Sequence, residues 1–285
     1  MSDFTCGLAA LFVYPVKGCA GIALPDAQLV ETGLDLDRAW MVIDPSGAML
    51  TQRQLPRLAL VRCELRHSDL RLRAPGMLAL HLSLDAVEAA THARVWGDEV
   101  SAFEMGALAG QWFSDFLGQP GLRLVRFDPE QRRLSDPKWT GAIEAETAFA
   151  DAFPLLVTST ASLAELNRRL AAAGDAPVTM QRFRPNLVLD GLAQPHDEDF
   201  IDLLSIASDG AAVQLKLVKP CTRCSVPDVD PASAEPGQSV SRALAGYRSD
   251  ARMGGAITFG MNAVIVSGVG QLLRAGSVVA ASLAD

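Results

Sequence analysis

The chain has 285 residues, and at about 150 residues per domain this length favours two domains. Acidic residues outnumber basic ones, 33 against 25, and the resulting formal net charge of −8 argues against a nucleic-acid-binding protein. Hydrophobic residues make up 49% of the chain, so a packed core is expected and wholesale disorder is excluded.

The first hundred residues predict a succession of short strands. Turn sequences separate them, with Asp44–Gly47 predicting one short hairpin loop and Gly97-Asp98 predicting another. Many short strands at near-regular spacing are typical of an antiparallel barrel or sandwich and not of a parallel βαβ sheet. The predicted strands cover residues 8–16, 38–43, 58–65, 70–73 and 77–84.

Two helices interrupt this strand pattern. Apolar residues at helical spacing predict a helix over residues 106–117, with Gly118 as its C-terminal stop. A capping box formed by Ser162 and Glu165 predicts the start of a second helix. Strands are then predicted again at residues 186–189, 203–207, 213–218, 263–266 and 272–279. We therefore predict a mainly β (α+β) protein with two domains, residues 1–118 and 119–285.

No segment predicts membrane insertion or secretion. The chain has no apolar window of the roughly 18 residues that a spanning helix needs. Asp3 stands in front of the apolar N-terminal run, where a signal peptide needs positive charge. We therefore expect a cytoplasmic protein.

The most informative stretch is Cys221-Thr222-Arg223-Cys224, which follows a predicted strand. Five cysteines are an odd number with one close pair, which argues against a disulfide scaffold. Pro227 disfavours the helix that a thioredoxin-type motif needs, and no second ligand pair completes a zinc site. Two interpretations stay open: two ordinary buried cysteines, or one thiolate that nearby cations keep deprotonated and that binds a soft metal or acts as a nucleophile.

Basic residues stand at several predicted strand ends, namely Lys17, Arg38, Arg184 and Arg223. Taken singly, each is most simply a solvated or ion-paired side chain. If the fold brings them together, they form a local anion pocket in an acidic protein, which suits one phosphorylated cofactor better than a polyanion. Guanidinium groups bind phosphate in a bidentate way, and the amide of Asn186 can donate beside them.

Two other groups of residues have simple structural interpretations. The run His196-Asp197-Glu198-Asp199 could bind a hard cation, but its position after a proline and between two strands favours a solvated loop. The four tryptophans are most simply packing residues in the core or near the surface. They are Trp40, Trp96, Trp112 and Trp139.

Five motifs in order resemble one known family. They are Tyr14-Pro15-Val16-Lys17, Asp37-Arg38 before an apolar strand, the run from Arg182 to Asn186, Cys221–Cys224 followed by Val229-Asp230-Pro231, and Phe259-Gly260-x-Asn262. Together they are similar to MOSC proteins (molybdenum cofactor sulfurase C-terminal domain), and most of all to the amidoxime-reducing component branch. The resemblance covers about residues 9–279. It implies a MOSC β-barrel domain and a smaller N-terminal domain of β-barrel or α+β type.

The resemblance also implies a molybdenum cofactor. A single molybdenum would be bound by the dithiolene of one pyranopterin, by two oxygen ligands and by one protein thiolate. By position, Cys224 would be the metal ligand and a catalytic residue, with Cys221 as a structural neighbour. Asp230 would be the second catalytic candidate, mainly ordering its loop and more weakly delivering protons. The positions matching cofactor-binding residues are Lys17, Arg38, Arg184, Asn186 and Thr222.

The implied activity is the reduction of small N-hydroxylated compounds: amidoximes, hydroxylamines, hydroxamic acids and N-hydroxylated bases. Because no cysteine follows Cys224, we expect electrons to come from a separate protein of ferredoxin, flavodoxin or cytochrome type. Two other functions would use the same cysteine. One is a sulfur carrier that holds a persulfide, and the other is a protein that binds and delivers the molybdenum cofactor without turnover.

Overall fold

The computed structural model describes residues 2–284, and strands dominate this part of the chain as predicted. The helices are α1 (Ala107–Leu117), α2 (Pro137–Thr140), α3 (Thr160–Ala172) and α4 (Ser239–Ala245). None of the helices within residues 2–284 has the length and apolar character needed to cross a membrane. The strands are β1 (Phe4–Val13), β2 (Ile22–Leu24), β3 (Asp26–Val30), β4 (Gly33–Leu34), β5 (Trp40–Ile43), β6 (Arg62–Leu65), β7 (Asp69–Arg73), β8 (Leu80–Ser83), β9 (Ala90–Val95), β10 (Asp98–Glu104), β11 (Arg123–Phe127), β12 (Leu155–Ser159), β13 (Leu187–Asp190), β14 (Ile201–Ile206), β15 (Val213–Thr222), β16 (Ser249–Asp250), β17 (Ala256–Ser267), β18 (Leu272–Arg274) and β19 (Val278–Leu283).

Seven strands close into a barrel, in the order β12, β13, β1, β19, β14, β15 and β17, with β17 pairing back onto β12. Neighbouring strands are antiparallel except β12 and β13, which run parallel. Alternate side chains of these strands fill the interior with buried aliphatic residues such as Leu8, Leu204 and Leu215. Because the barrel is closed, the strands at both edges of the sheet are hydrogen-bonded to each other. No free edge is left that a helix would have to cover.

The N-terminal half contributes strands to three smaller sheets. One contains β5, β11, β10 and β9 in that order, a second contains β6, β7 and β8, and a third contains β18, β3 and β4. Helix α1 buries Trp112, Phe113 and Phe116 in the core of this half and ends at Gly118, whose φ of 70° is the left-handed cap predicted from the sequence.

Strands from each side of residue 118 pair with strands from the other side. Strand β1 from the N-terminus pairs with β13 and β19 of the barrel, whereas β11, which follows residue 118, pairs with β5 and β10 of the N-terminal half. The two halves are therefore interleaved at the level of hydrogen-bonded strands. The division of the chain into domains at residue 118 stays a prediction.

Helix α3 begins earlier than its sequence pattern predicts. Ser159 is the N-cap, and its hydroxyl accepts the backbone N–H of Ser162 at 3.1 Å. Glu165 bonds instead to Arg168 and Arg169 on the surface of the helix. The predicted capping box of Ser162 and Glu165 is thus wrong, because β12 runs directly into α3 and leaves Ser159 in the extended conformation that a cap requires.

The run at 196–199 is buried and does not form a solvated loop. After the proline, a short 3₁₀ helix turns two of its acids inward. The Glu198 carboxylate accepts the hydroxyl of Ser162 at 2.6 Å, close to the positive N-terminal end of α3. Asp199 pairs with Arg248 at 2.6 Å. The prediction failed because these partners lie at least 36 residues away along the chain.

Candidate active site

An open cleft of about 190 Å³ lies between segments of the barrel and of the N-terminal half. Six of the seven site residues expected from the resemblance line it: Lys17, Arg38, Arg184, Asn186, Thr222 and Cys224. Residues 50–53, Trp96 and residues 150–153 also contribute to the wall. The fold therefore brings together basic side chains and a thiol that are far apart in sequence.

Lys17 reaches the cleft through a short bridge between two chain segments. Val16 pairs with Trp40, and the backbone N–H of Lys17 donates to the Trp40 carbonyl at 2.7 Å. The Lys17 ammonium donates to the Phe149 carbonyl at 2.7 Å and to Asp151 Oδ1 at 2.6 Å. Burial lowers the pKa of Lys17, while the Asp151 charge opposes that shift.

The Asp151 carboxylate is the partner of two cleft residues. Burial alone would raise its pKa, but the charge and hydrogen bond of Lys17, together with the Trp96 N–H, lower the pKa of Asp151 to about 2. The indole Nε1 of Trp96 donates to the same Oδ1 atom at 3.0 Å. Asp151 therefore stays ionised and fixes a lysine from one segment and a tryptophan from another.

Arg38 and Arg184 lie against one aromatic ring. Their guanidinium carbons are 4.4 and 4.3 Å from the centroid of Tyr14, within the range of cation–π attraction. Arg38 also donates to Asp37, to Asn186 Oδ1 at 3.1 Å and to the Arg184 carbonyl at 3.0 Å. The ring and these hydrogen bonds hold two like charges close together.

Two unusual backbone features permit this arrangement. Arg38 and Arg184 have φ values of 50° and 57°, in the left-handed region that non-glycine residues rarely adopt. Gly21 lets the Tyr14 ring approach, because a Cβ at this position would lie 2.4 Å from Tyr14 Cε1. Backbone strain of this kind persists only where the surrounding contacts maintain it, and it is common at binding sites.

Arg184 is a cation of the cleft with unused hydrogen-bonding capacity. Its Nη1 donates to the Cys19 carbonyl at 2.6 Å, whereas its Nη2 is buried with no hydrogen-bond partner among residues 2–284. Burial lowers the pKa of this guanidinium, and the neighbouring Arg38 charge acts in the same direction. Both effects disfavour the charged form, so an anion bound beside Arg184 would relieve them.

The two thiols differ in accessibility. Strand β15 ends at Thr222, and Cys224 is exposed on the loop that follows, where it lines the cleft. Cys221 is half-buried, and burial raises the pKa of its thiol. Arg223 stands between them and donates to the Phe259 carbonyl at 2.7 Å and to the Phe183 carbonyl at 3.0 Å. The Arg223 side chain therefore anchors the loop and leaves Cys224 as the accessible thiol.

Asp230 lies outside the cleft. Its carboxylate accepts Arg182 Nη2 at 2.7 Å and the backbone N–H groups of Ala232 and Ser233 at 2.7 and 3.1 Å. These backbone hydrogen bonds, with the charge of Arg182, lower the pKa of Asp230. These contacts order the loop, which is the main role expected for Asp230 from the family resemblance. Its catalytic role stays a prediction.

Arg53, Trp96 and Arg182 are among the cleft residues that were not predicted as site residues. Arg53 and Trp96 come from the N-terminal half, and Arg182 lines the cleft while also donating to the Pro227 carbonyl at 3.2 Å. Trp96 is 53% exposed, so its interpretation as a packing residue was incomplete. Local signals existed for two of them, since the hairpin turn at Gly97 places Trp96 at the tip of a hairpin, and Arg182 begins the motif that ends at Asn186.

Comparison with known proteins identifies two domains in this chain. A MOSC N-terminal beta barrel domain matches residues 6–120, and a MOSC domain matches residues 144–280. Over 232 residues, or 79% of this chain, identity is 35% to Mitochondrial amidoxime-reducing component 1 of Mus musculus and 34% to Mitochondrial amidoxime reducing component 2 of Homo sapiens. These matches span 66% and 67% of the two relatives.

A second kind of relative covers more of the chain. Molybdenum cofactor sulfurase of Danio rerio is 30% identical over 274 residues, which is 90% of this chain and 32% of that protein. The two domain matches together account for most of the residues in both halves of the fold. The chain therefore belongs to the family of MOSC-domain proteins that carry a MOSC N-terminal β-barrel domain.

Proposed function

We propose that this protein binds a molybdenum cofactor in the cleft and reduces small N-hydroxylated compounds such as amidoximes, hydroxylamines and N-hydroxylated bases. One observation carries the proposal: an accessible thiol, Cys224, shares one cleft with Arg184, whose buried Nη2 has no hydrogen-bond partner among the described residues. A cofactor with a metal at one end and a phosphate at the other would use both groups. The names of the amidoxime-reducing relatives support the same activity.

The donor set of the cleft fits this cofactor. Cys224 would ligate molybdenum, since thiolate is a soft ligand that metal binding keeps deprotonated. Arg184 would donate to the terminal phosphate, for which a planar guanidinium is well suited. The residues that would contact the pterin and the region near the metal are Lys17, Arg38, Asn186 and Thr222, all of which line the cleft.

When bound, the cofactor supplies the two-electron chemistry that converts an N–OH group, with two protons, into an N–H group and water. The chain itself contributes binding and orientation. The Lys17 ammonium spends two of its three donors on Phe149 and Asp151, which leaves one N–H for a ligand in the cleft. Electrons would come from a separate electron-transfer protein. Localisation in the cytoplasm stays a prediction, because the amidoxime-reducing relatives are named as mitochondrial.

Metal analysis and a substrate assay test the proposal together. The purified protein should contain molybdenum and should reduce benzamidoxime with an artificial electron donor. Cys224→Ser should lose the metal, whereas Cys221→Ser, the matched control three positions away, should retain it. Stoichiometric zinc without molybdenum, or full cofactor loading of Cys224→Ser, would contradict the proposal.

The exposure of Cys224 also favours a second candidate function, the transfer of sulfur or of the intact cofactor. An accessible thiol can hold a persulfide, which a buried one cannot deliver to a partner. Mass spectrometry of the purified protein distinguishes the candidates. A single added sulfur on Cys224 without bound pterin would support the carrier, and tight pterin binding without reduction of any N-hydroxylated compound would support cofactor delivery.

A further inference from the structure

Arg53 and Trp96 belong to the N-terminal half and line the same cleft as Cys224. The Arg53 guanidinium carbon lies 4.7 Å from the centroid of the Trp96 ring, and both side chains line the cleft together with Cys224. A stacked cation and aromatic ring present an apolar face and a charged edge side by side. Neither residue is used by the cofactor-binding scheme above.

The Trp96 side chain is fixed by a hydrogen bond to a neighbouring carboxylate. The backbone of Trp96 has a φ of 56°, and the indole Nε1 donates to Asp151, which is itself bound by Lys17. The ring is 53% exposed, whereas Trp40 and Trp112 are 0% and 6% exposed in the core. A large apolar ring that is exposed and also fixed in place offers a preorganised surface on which a flat ring can stack.

Arg53 is the exposed cation of the cleft that has no acidic partner among residues 2–284. Each of the other cleft cations already contacts a partner in the cleft wall, and the Arg184 Nη2 that lacks one among residues 2–284 is buried. Three form ion pairs, namely Lys17 with Asp151, Arg38 with Asp37 and Arg182 with Asp230, while Arg184 and Arg223 donate to backbone carbonyls. Within the described residues, the Arg53 side chain makes one hydrogen bond, from its Nε to Thr51 Oγ1 at 3.4 Å. Its two terminal nitrogens are therefore available to an anion.

We propose that Arg53 and Trp96 form a substrate platform that selects flat aromatic N-hydroxylated compounds carrying a carboxylate or phosphate group. The aromatic part would lie against the exposed indole, and the anionic group would accept hydrogen bonds from Arg53. The net charge of −8 repels anions in general, so the exposed Arg53 guanidinium gives a specific advantage to ligands that reach it. This inference rests on the proposed function and names the substrate class of the same site.

The first test compares two substrates that differ in one group, benzamidoxime and 4-carboxybenzamidoxime. The wild-type protein should have the higher kcat/KM for the carboxylated compound. In Arg53→Gln the ratio of the two kcat/KM values should fall about tenfold, the factor expected for loss of one charge-assisted hydrogen bond. Arg57→Gln is the matched control, because Arg57 is also exposed and stacks on a ring, Phe116 at 4.5 Å, outside the cleft.

The second test concerns the ring. Trp96→Leu should raise KM for both aromatic amidoximes about fivefold or more, in line with the value of one stacking contact, and should raise it less for acetamidoxime, which has no ring. Trp96→Phe should restore most of the loss because it keeps an aromatic face. Equal KM changes for the aromatic and the aliphatic compounds would overturn the assignment of Trp96.

Binding without turnover separates this inference from the proposed function. Isothermal titration calorimetry of the purified protein with each amidoxime should show tighter binding of the carboxylated compound, and Arg53→Gln should remove the difference. Absence of molybdenum and of all amidoxime reduction would overturn the proposed function. The difference in affinity between the two amidoximes would still show whether Arg53 and Trp96 form a binding platform. Equal affinities in the wild type overturn the platform. Loss of molybdenum from Arg53→Gln also overturns it and assigns Arg53 to the cofactor.

Discussion

Replacing Gly21 with alanine is expected to disturb the arginine pair through Tyr14. A Cβ at position 21 would lie 2.4 Å from Tyr14 Cε1 and 2.8 Å from Cδ1, well inside van der Waals contact. Tyr14 is fully buried and contacts the guanidinium groups of Arg38 and Arg184, so its ring has nowhere to move without displacing them. Overpacking a core costs about 1–3 kcal/mol, and disturbed cation–π contacts add about 0.5–1 kcal/mol. We expect the free energy of unfolding to fall by about 2–3 kcal/mol.

Urea titrations of a double-mutant cycle measure this effect. In a Tyr14→Leu background the added methyl group meets no ring, so Gly21→Ala should cost less than about 0.5 kcal/mol there, and the two changes should couple by about 2 kcal/mol. Gly97→Ala is the control, since a Cβ at Gly97 has no atom within 4 Å. It should leave stability unchanged or raise it by about 0.4–1 kcal/mol. An equal cost of Gly21→Ala in both backgrounds would refute the positioning role of the Tyr14 ring.

Three further predictions concern Glu198, Phe183 and Asp230. Burial raises the pKa of Glu198 in the folded protein above its ordinary value of 4.5. The protonated side chain therefore contributes fully to the free energy of unfolding below pH 4.5, and this contribution is lost as the pH rises through the pKa of the folded state. Glu198→Gln should remove this loss, so its stability relative to wild type should improve as the pH rises above about 4.5 in urea titrations, and a difference that does not change with pH would contradict the assignment. Phe183→Ala removes a ring stacked on Phe259 at 3.9 Å and should lower the free energy of unfolding by about 3–5 kcal/mol, seen as an earlier urea midpoint. Asp230→Asn breaks a partly exposed ion pair with Arg182 and should cost at most about 1 kcal/mol, and a shifted pH profile of amidoxime reduction would show that Asp230 also delivers protons.

The sequence by itself determined the features that depend on a few neighbouring residues. The apolar spacing of α1 and its stop at Gly118, and the hairpin turn at Gly97, were all predicted correctly. They follow local rules: helical periodicity, the conformational freedom of glycine and the geometry of short turns. The order of motifs along the chain also identified the family, since a motif keeps its residues whatever their distance in space.

Only the tertiary structure decided which distant residues meet. Arg38 donates a hydrogen bond to Asn186, which is 148 residues away in sequence, and Glu198 accepts one from Ser162, which is 36 residues away. No local pattern encodes these pairs, because the cost of burying a charge depends on partners supplied by distant segments of the chain. The strand β1 joins the barrel of the C-terminal half for the same reason: its pairing depends on which free edge the rest of the chain presents. Trp96 likewise looked like a packing residue, and it became part of the cleft because the hairpin that carries it is placed beside Asp151 of the other half.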